Sequence, residues 1–180
     1  MSTGRPHATS RETIAEAACE LFLERGFAAT TVADITRRAG VSRSSFFNYF
    51  GSKADVLWGG FDVRLDAACE ALASGAEVGD ALRGIAAGFA PDSLALAITH
   101  AGAMGIADDL AAERAVRQAR LGRAIAQRLR AEGLQPLQAE VRAAAAAGAL
   151  FAAVWAWAGA APGRASLTPV LEEALVHVPA

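Results

Sequence analysis

Residues 31–57 read TVADITRRAGVSRSSFFNYFGSKADVL. The punctuation of this stretch predicts two short helices, a tight turn between them, and the start of a third. Thr31 with Asp34 three residues on is a capping pair: a hydroxyl accepts from a free backbone N–H, and a carboxylate sits at the positive helix end. Ala39-Gly40 closes that helix, because glycine takes the left-handed conformation at a helix end without steric cost. Ser42 opens the second helix and Gly51 closes it. Ser52 with Asp55 opens the third.

The apolar residues obey the same geometry. Val32, Ile35 and Ala39 share one face of the first short helix, and Val41 lies in the turn. Phe46, Tyr49 and Phe50 share one face of the second. Two such faces meeting across a turn of three or four residues make a helix-turn-helix. Left outside are Arg37, Arg38, Arg43, Ser44, Ser45, Asn48 and Lys53. They are cationic or short and polar, which suits phosphates and base edges in a major groove.

The run resembles the DNA-binding domain of TetR-family transcriptional regulators. The residues that carry the resemblance are Thr31, Ile35, Ala39-Gly40-Val41-Ser42, the block Ser45-Phe46-Phe47-Asn48-Tyr49-Phe50, and Ser52-Lys53 with Leu57. It covers roughly residues 9 to 57; beyond them only length and helical character agree. Three positions depart from the pattern. Thr36 stands where the family usually has Ala, Ser44 replaces a common Gly, and Phe47 replaces a common Tyr and its hydroxyl. The Phe-Phe-Asn-Tyr-Phe variant, followed by Trp58-Gly59-Gly60-Phe61-Asp62, is similar to the mycofactocin-type branch of the family.

By this resemblance the helix from Ser42 to Tyr49 lies in the major groove of double-stranded DNA. Arg43 is the first candidate for base contact, since a guanidinium pairs bidentately with guanine. Ser44 and Asn48 are further candidates for base edges. Thr31, Ser45, Tyr49 and Lys53 are expected to clamp phosphates. Tyr49 has an equal alternative, core packing with its hydroxyl exposed. Arg37 and Arg38 either join the interface or solvate a face.

Composition narrows the rest. The chain has 180 residues, 53% of them hydrophobic, with much Ala, a strong helix former. No stretch alternates like a strand between turn residues, so the expected class is all-α. Residues 1–57 are expected to form the helix-turn-helix domain, and residues 58–180 a helical ligand-binding and dimerisation domain. The net charge is −2. Residues 1–55 carry seven Lys/Arg against six Asp/Glu, and the remainder ten against thirteen, a mild skew toward a DNA-facing N-terminal end. Cys19 and Cys69 lie on apolar helix faces and read as core thiols, with a disulfide or redox sensor as the alternative. No secretory signal opens the chain, so the expected compartment is the cytoplasm. Ala143 to Ala161 lacks charge, but its Ala and Gly carry little apolar surface, and it is read as a buried helix instead of a membrane span.

In order along the chain, Arg5 and His7 belong to an arm that touches DNA or simply frays. Thr9 to Gly26 is a bracing helix with Ile14, Ala17, Ala18, Leu21 and Phe22 inward. Ser52 to about Ser74 links the two domains, with Leu57, Phe61, Leu65, Ala68 and Leu72 along one side. Shorter helices follow over 77–90 and 91–104. A long charged helix runs from Ile106 to about Glu132. Its Arg114, Arg117, Arg120, Arg123, Arg128 and Arg130 either solvate a face or hold an anionic effector such as an acyl-CoA phosphate. An effector pocket is expected near Trp58, Phe61, Phe89, His100 and Met104, taking a small apolar or amphipathic molecule; for His100 a satisfied core position is the alternative.

Pro136 starts a helix that is apolar all round and so must be covered on every side. A second subunit is the natural cover. Val141, Phe151, Trp155, Leu171 and Leu175 are the expected homodimer contacts, and two-fold symmetry places two reading helices on a palindromic operator. No nucleophile–base pair, paired carboxylates or metal-ligand spacing argues for an enzyme, and no cofactor is implied. The function expected is a DNA-binding transcriptional regulator, a ligand-released repressor. The alternative is a helical interaction module without sequence-specific DNA binding.

Overall fold

A computed structural model describes residues 10–90, 92–160 and 166–179, and every regular element among them is a helix. Thr9, Arg5 and His7 lie outside the described residues. Three short elements form the head: α1 (Ser10–Arg25), α2 (Val32–Ala39) and α3 (Arg43–Tyr49). α4 (Asp55–Ala73) runs from the head into the body. The body adds α5 (Val78–Ala86), α6 (Ser93–Thr99), α7 (Ala101–Met104), α8 (Ala107–Ala131), α9 (Pro136–Gly159) and α10 (Leu167–Leu175).

The head closes because each helix contributes one apolar stripe. Ile14, Ala18, Leu21 and Phe22 of α1 meet Ile35 of α2 and Phe46 of α3, all nearly without solvent contact. α4 continues this stripe through Leu57, Phe61, Leu65 and Leu72. The step from Leu57 to Trp58 falls inside α4, so one unbroken helix spans it. Gly59 and Gly60 let two neighbours come close to that helix. A Cβ on Gly59 would stand 2.7 Å from the Arg11 guanidinium of α1, and one on Gly60 would stand 2.6 Å from the Asp92 carboxylate that caps α6.

The body core is a chain of rings. Phe61 meets Phe151 at 5.3 Å, Trp58 at 5.9 Å and Phe89 at 6.2 Å; Phe89 meets Trp157 at 5.3 Å and Trp58 meets Trp155 at 6.1 Å. Edge-on and tilted arrangements of this kind suit the ring quadrupoles. Two ion pairs join α8 to α4 beside them. Arg117 donates to both Asp62 oxygens at 2.7 Å and lies 4.2 Å over the Trp58 ring; Arg120 pairs with Asp66 at 2.6 Å.

The 91–104 stretch is two helices, not one. Thr99 donates its hydroxyl to the carbonyls of Ala95 and Ala158, tying the end of α6 to α9, and the chain turns at His100 before α7. α10 begins at Leu167 with Ser166 as its cap, so Pro169 sits in the first turn, where a missing N–H does no harm. α9 is long and apolar enough to cross a membrane by composition, yet half of that window is buried inside the protein, against α8, α10 and α6.

Cys19, on α1, is buried against the start of α6, and that burial pushes its thiol up to about 11. Burial also raises Cys69, which is less enclosed. At neutral pH both are thiols, and iodoacetamide should alkylate Cys69 slowly and Cys19 only after unfolding; mass mapping of the modified cysteines checks the order.

Candidate nucleic-acid interface

The reading head is built from caps. Asp34 donates its N–H to the Thr31 hydroxyl at 3.1 Å, and the Thr31 N–H returns a bond to the Asp34 carboxylate at 3.1 Å. The Thr31 hydroxyl, 2.6 Å from that carboxylate, and after it the Thr31 N–H hold the Asp34 carboxyl below its usual range. Gly40 then turns left-handed at φ 67°, and its N–H closes α2 on Arg37 and Thr36. Two residues later Ser42 caps α3 by accepting from the Ser45 N–H at 3.0 Å, with the two hydroxyls 2.9 Å apart. Ile35, Phe46 and Phe50 lock the two axes together from beneath.

On the outer side α3 presents Arg43, Ser44, Phe47, Asn48 and Tyr49, all exposed. Arg43 makes no ion pair with a described residue; its guanidinium lies 5.5 Å over the Phe47 ring. The other cations nearby are engaged. Arg37 pairs with Asp34 at 3.3 Å, and Arg38 is held by Glu20 and Glu24, whose hydrogen bonds raise its pKa and lower that of Glu24. Arg38 therefore fastens α2 to α1. Tyr49 is 46% exposed and so lies outside the core face on which its spacing placed it. Phe47 was absent from the expected contacts, although its i, i+4 spacing from Arg43 signals the stack.

A description for bacterial regulatory proteins of the tetR family matches residues 14–57. Over most of the chain, the FadR repressor of Thermus thermophilus, a TetR-family transcriptional repressor solved with lauroyl-CoA, is 33% identical. That match covers 93% of this chain and 92% of FadR, with a TM-score of 0.53. This chain belongs to the TetR family. A second solved member, CifR in complex with a 26-bp double-strand operator DNA, is 25% identical over 98% of this chain and 100% of its own, with a TM-score of 0.53. The putative mycofactocin biosynthesis regulator of Mycobacterium tuberculosis is 40% identical over 62 residues, 34% of this chain. The matched segment spans 31% of that regulator's length, so the likeness to the mycofactocin-type branch rests on those residues alone.

Several expected sites of this TetR-family chain lie elsewhere than the sequence suggests. Lys53 turns inward: its ammonium donates to the carbonyls of Phe27 at 2.6 Å and Thr30 at 3.0 Å, which a phosphate clamp would have to abandon. Trp58, Phe61, Phe89 and Met104 are all buried and, the rings at least, packed on one another, so an effector among them needs the rings to part. His100 is exposed at the α6–α7 break and does not face that core. Of the expected dimer contacts, Phe151 and Leu171 are wholly buried within the protomer, because α9 spends that side on α4 and α10. Trp155 and Leu175 are half-buried, and Val141 is 54% exposed. Leu137, Val141, Ala144 and Ala152 repeat along the exposed side of α9 as a stripe without charge, with Gly148 half-buried beside Gln118 of α8.

Proposed function

We propose that this TetR-family chain is a homodimeric repressor that binds a palindromic operator and is released by a small apolar or amphipathic effector. The observation that carries the reading is the Arg43 guanidinium, in no ion pair among the described residues, set beside Ser44 and Asn48 on a helix whose inner side is fixed by Phe46 and Phe50. Bound in a major groove, Arg43 addresses guanine, while Ser44 and Asn48 reach neighbouring base edges. Thr31, Ser45 and Tyr49 meet phosphates. Arg43→Ala should lose about 1–3 kcal/mol of discrimination between preferred and scrambled duplexes. Fluorescence anisotropy on duplexes selected by the wild-type protein reads this directly. Equal preference in the variant and the wild type would refute the role of Arg43.

The uncharged stripe on α9 is the natural seat of a second copy. An apolar face of this length in water favours burial, and its small residues let two helices approach closely. Val141→Asp places a charge at that face on each protomer and should convert the dimer to monomer at micromolar concentration. Sedimentation velocity measures this; an unchanged dimer would move the interface elsewhere.

Effector release is a linkage: a molecule that binds better to the form unable to hold DNA weakens DNA binding by the factor with which DNA weakens its own. An acyl-CoA is the class to try first. The aromatic core supplies an apolar lining, and Arg114, 4.5 Å over Trp155 and without a described carboxylate partner, supplies a cation at its edge. A cytoplasmic setting follows from this reading.

A further inference from the structure

We propose that Lys53 is a positioning residue that ties the reading head to the body through Phe27, and that it does not grip a DNA phosphate. The DNA arm of this inference rests on the function proposed above. Lys53 stands between α3 and α4, one residue beyond its Ser52 neighbour in the capping pair with Asp55. Its ammonium is 2.6 Å from the Phe27 carbonyl, 3.0 Å from the Thr30 carbonyl and 4.2 Å above the Phe27 ring. Two of three donors are thus committed and the ring attracts the charge. A lysine swung out to solvent would take the donor from the part-buried Thr30 carbonyl and leave the Phe27 carbonyl with only the Thr30 N–H at 3.2 Å, which is costly at this junction.

The same residue also reaches the body. The Phe27 N–H donates to the Met104 carbonyl at 2.8 Å, across 77 residues of sequence, and Met104 is wholly buried at the end of α7. Phe27 is also fixed edge-on against Phe22 at 4.9 Å. Thr30, the second carbonyl under Lys53, donates its hydroxyl to Gly26 at 2.8 Å, and its neighbour Thr31 caps α2. A continuous path therefore runs from Met104 through Phe27 and Lys53 to the cap of the helix-turn-helix. α4 is one mechanical link between body and head, and this tie is a second. The basic residue at 53 resembles a phosphate contact in sequence only because its partners are backbone carbonyls, which leave no trace in residue types.

Two measurements decide it. In free wild-type protein, a 15N spectrum should show a slowly exchanging Lys53 ammonium resonance; a freely exchanging ammonium overturns the tie without recourse to any variant. The second uses a duplex selected by the wild-type protein from a randomised pool, with affinity followed over about 50–200 mM salt. Lys53→Met should bind about tenfold more weakly at every salt concentration, with the slope of log K against log salt unchanged. Lys53→Arg, which can donate to both carbonyls, should restore affinity. A slope shallower by about 0.9 in Lys53→Met means a lost phosphate contact and overturns the proposal. If the wild-type protein selects no duplex, DNA reading itself fails, while the ammonium resonance still decides the tie.

Discussion

Phe61→Ala is expected to destabilise this protein by about 3–5 kcal/mol, the largest effect of any single substitution considered for it. The side chain has no solvent contact and stands where three rings converge: Trp58, Phe89 and Phe151. Removing it deletes transfer energy and leaves a cavity, because neighbours held by α4, α9 and the α5–α6 connection can only partly collapse. The same residue lies in the expected effector lining, so the variant separates two roles. Urea unfolding gives the stability term. Calorimetry with lauroyl-CoA gives the binding term, and a cavity that admits the acyl chain would raise affinity even as the fold weakens. A loss below about 1 kcal/mol would mean that the rings are not packed as described.

Arg117→Met is the second large effect, at about 3 kcal/mol, the lower end for a broken buried pair. Arg117 is 9% exposed, whereas Asp62 and Glu113 retain access to water and can partly rehydrate once the guanidinium is gone. Methionine keeps contact with the Trp58 ring, so the change isolates the charge from the packing. On a chain of this length the loss corresponds to a melting temperature lower by about 6–12 °C. Arg120→Met, which breaks the exposed pair with Asp66, should cost about 0–1 kcal/mol. Similar losses at both positions would show that depth of burial is not what sets the strength of the α4–α8 pairs. A double-mutant cycle with Asp62→Asn would assign the coupling to the pair itself.

The head was legible because its signals are local. Thr31, Asp34, Gly40 and Ser42 act on neighbours within four residues, and each appears in the structure in the role its spacing implied. The all-helical class followed from apolar periodicity for the same reason. Periodicity tells which side of a helix is apolar, but not what covers that side. Phe151 and Leu171 therefore read as interface residues, while α4 already covers Phe151 and α9 and α5 already cover Leu171. His100 read as interior because its neighbours are apolar, yet the break between α6 and α7 turns it outward. Lys53 and Arg117 were obscure for a different reason. Apart from Glu113, four residues from Arg117, their partners lie 23, 26 and 55 residues away, and two of those are carbonyls.

Sequencing the duplexes that this protein retains from a randomised pool at about 150 mM salt tests its central claim most directly. The account predicts inverted repeats with half-site centres one helical turn apart, about 34–36 Å, or a multiple of it, and a guanine in each half-site that Arg43→Ala no longer selects. A retained pool indistinguishable from the input, or enriched in a single unrepeated site, would contradict it.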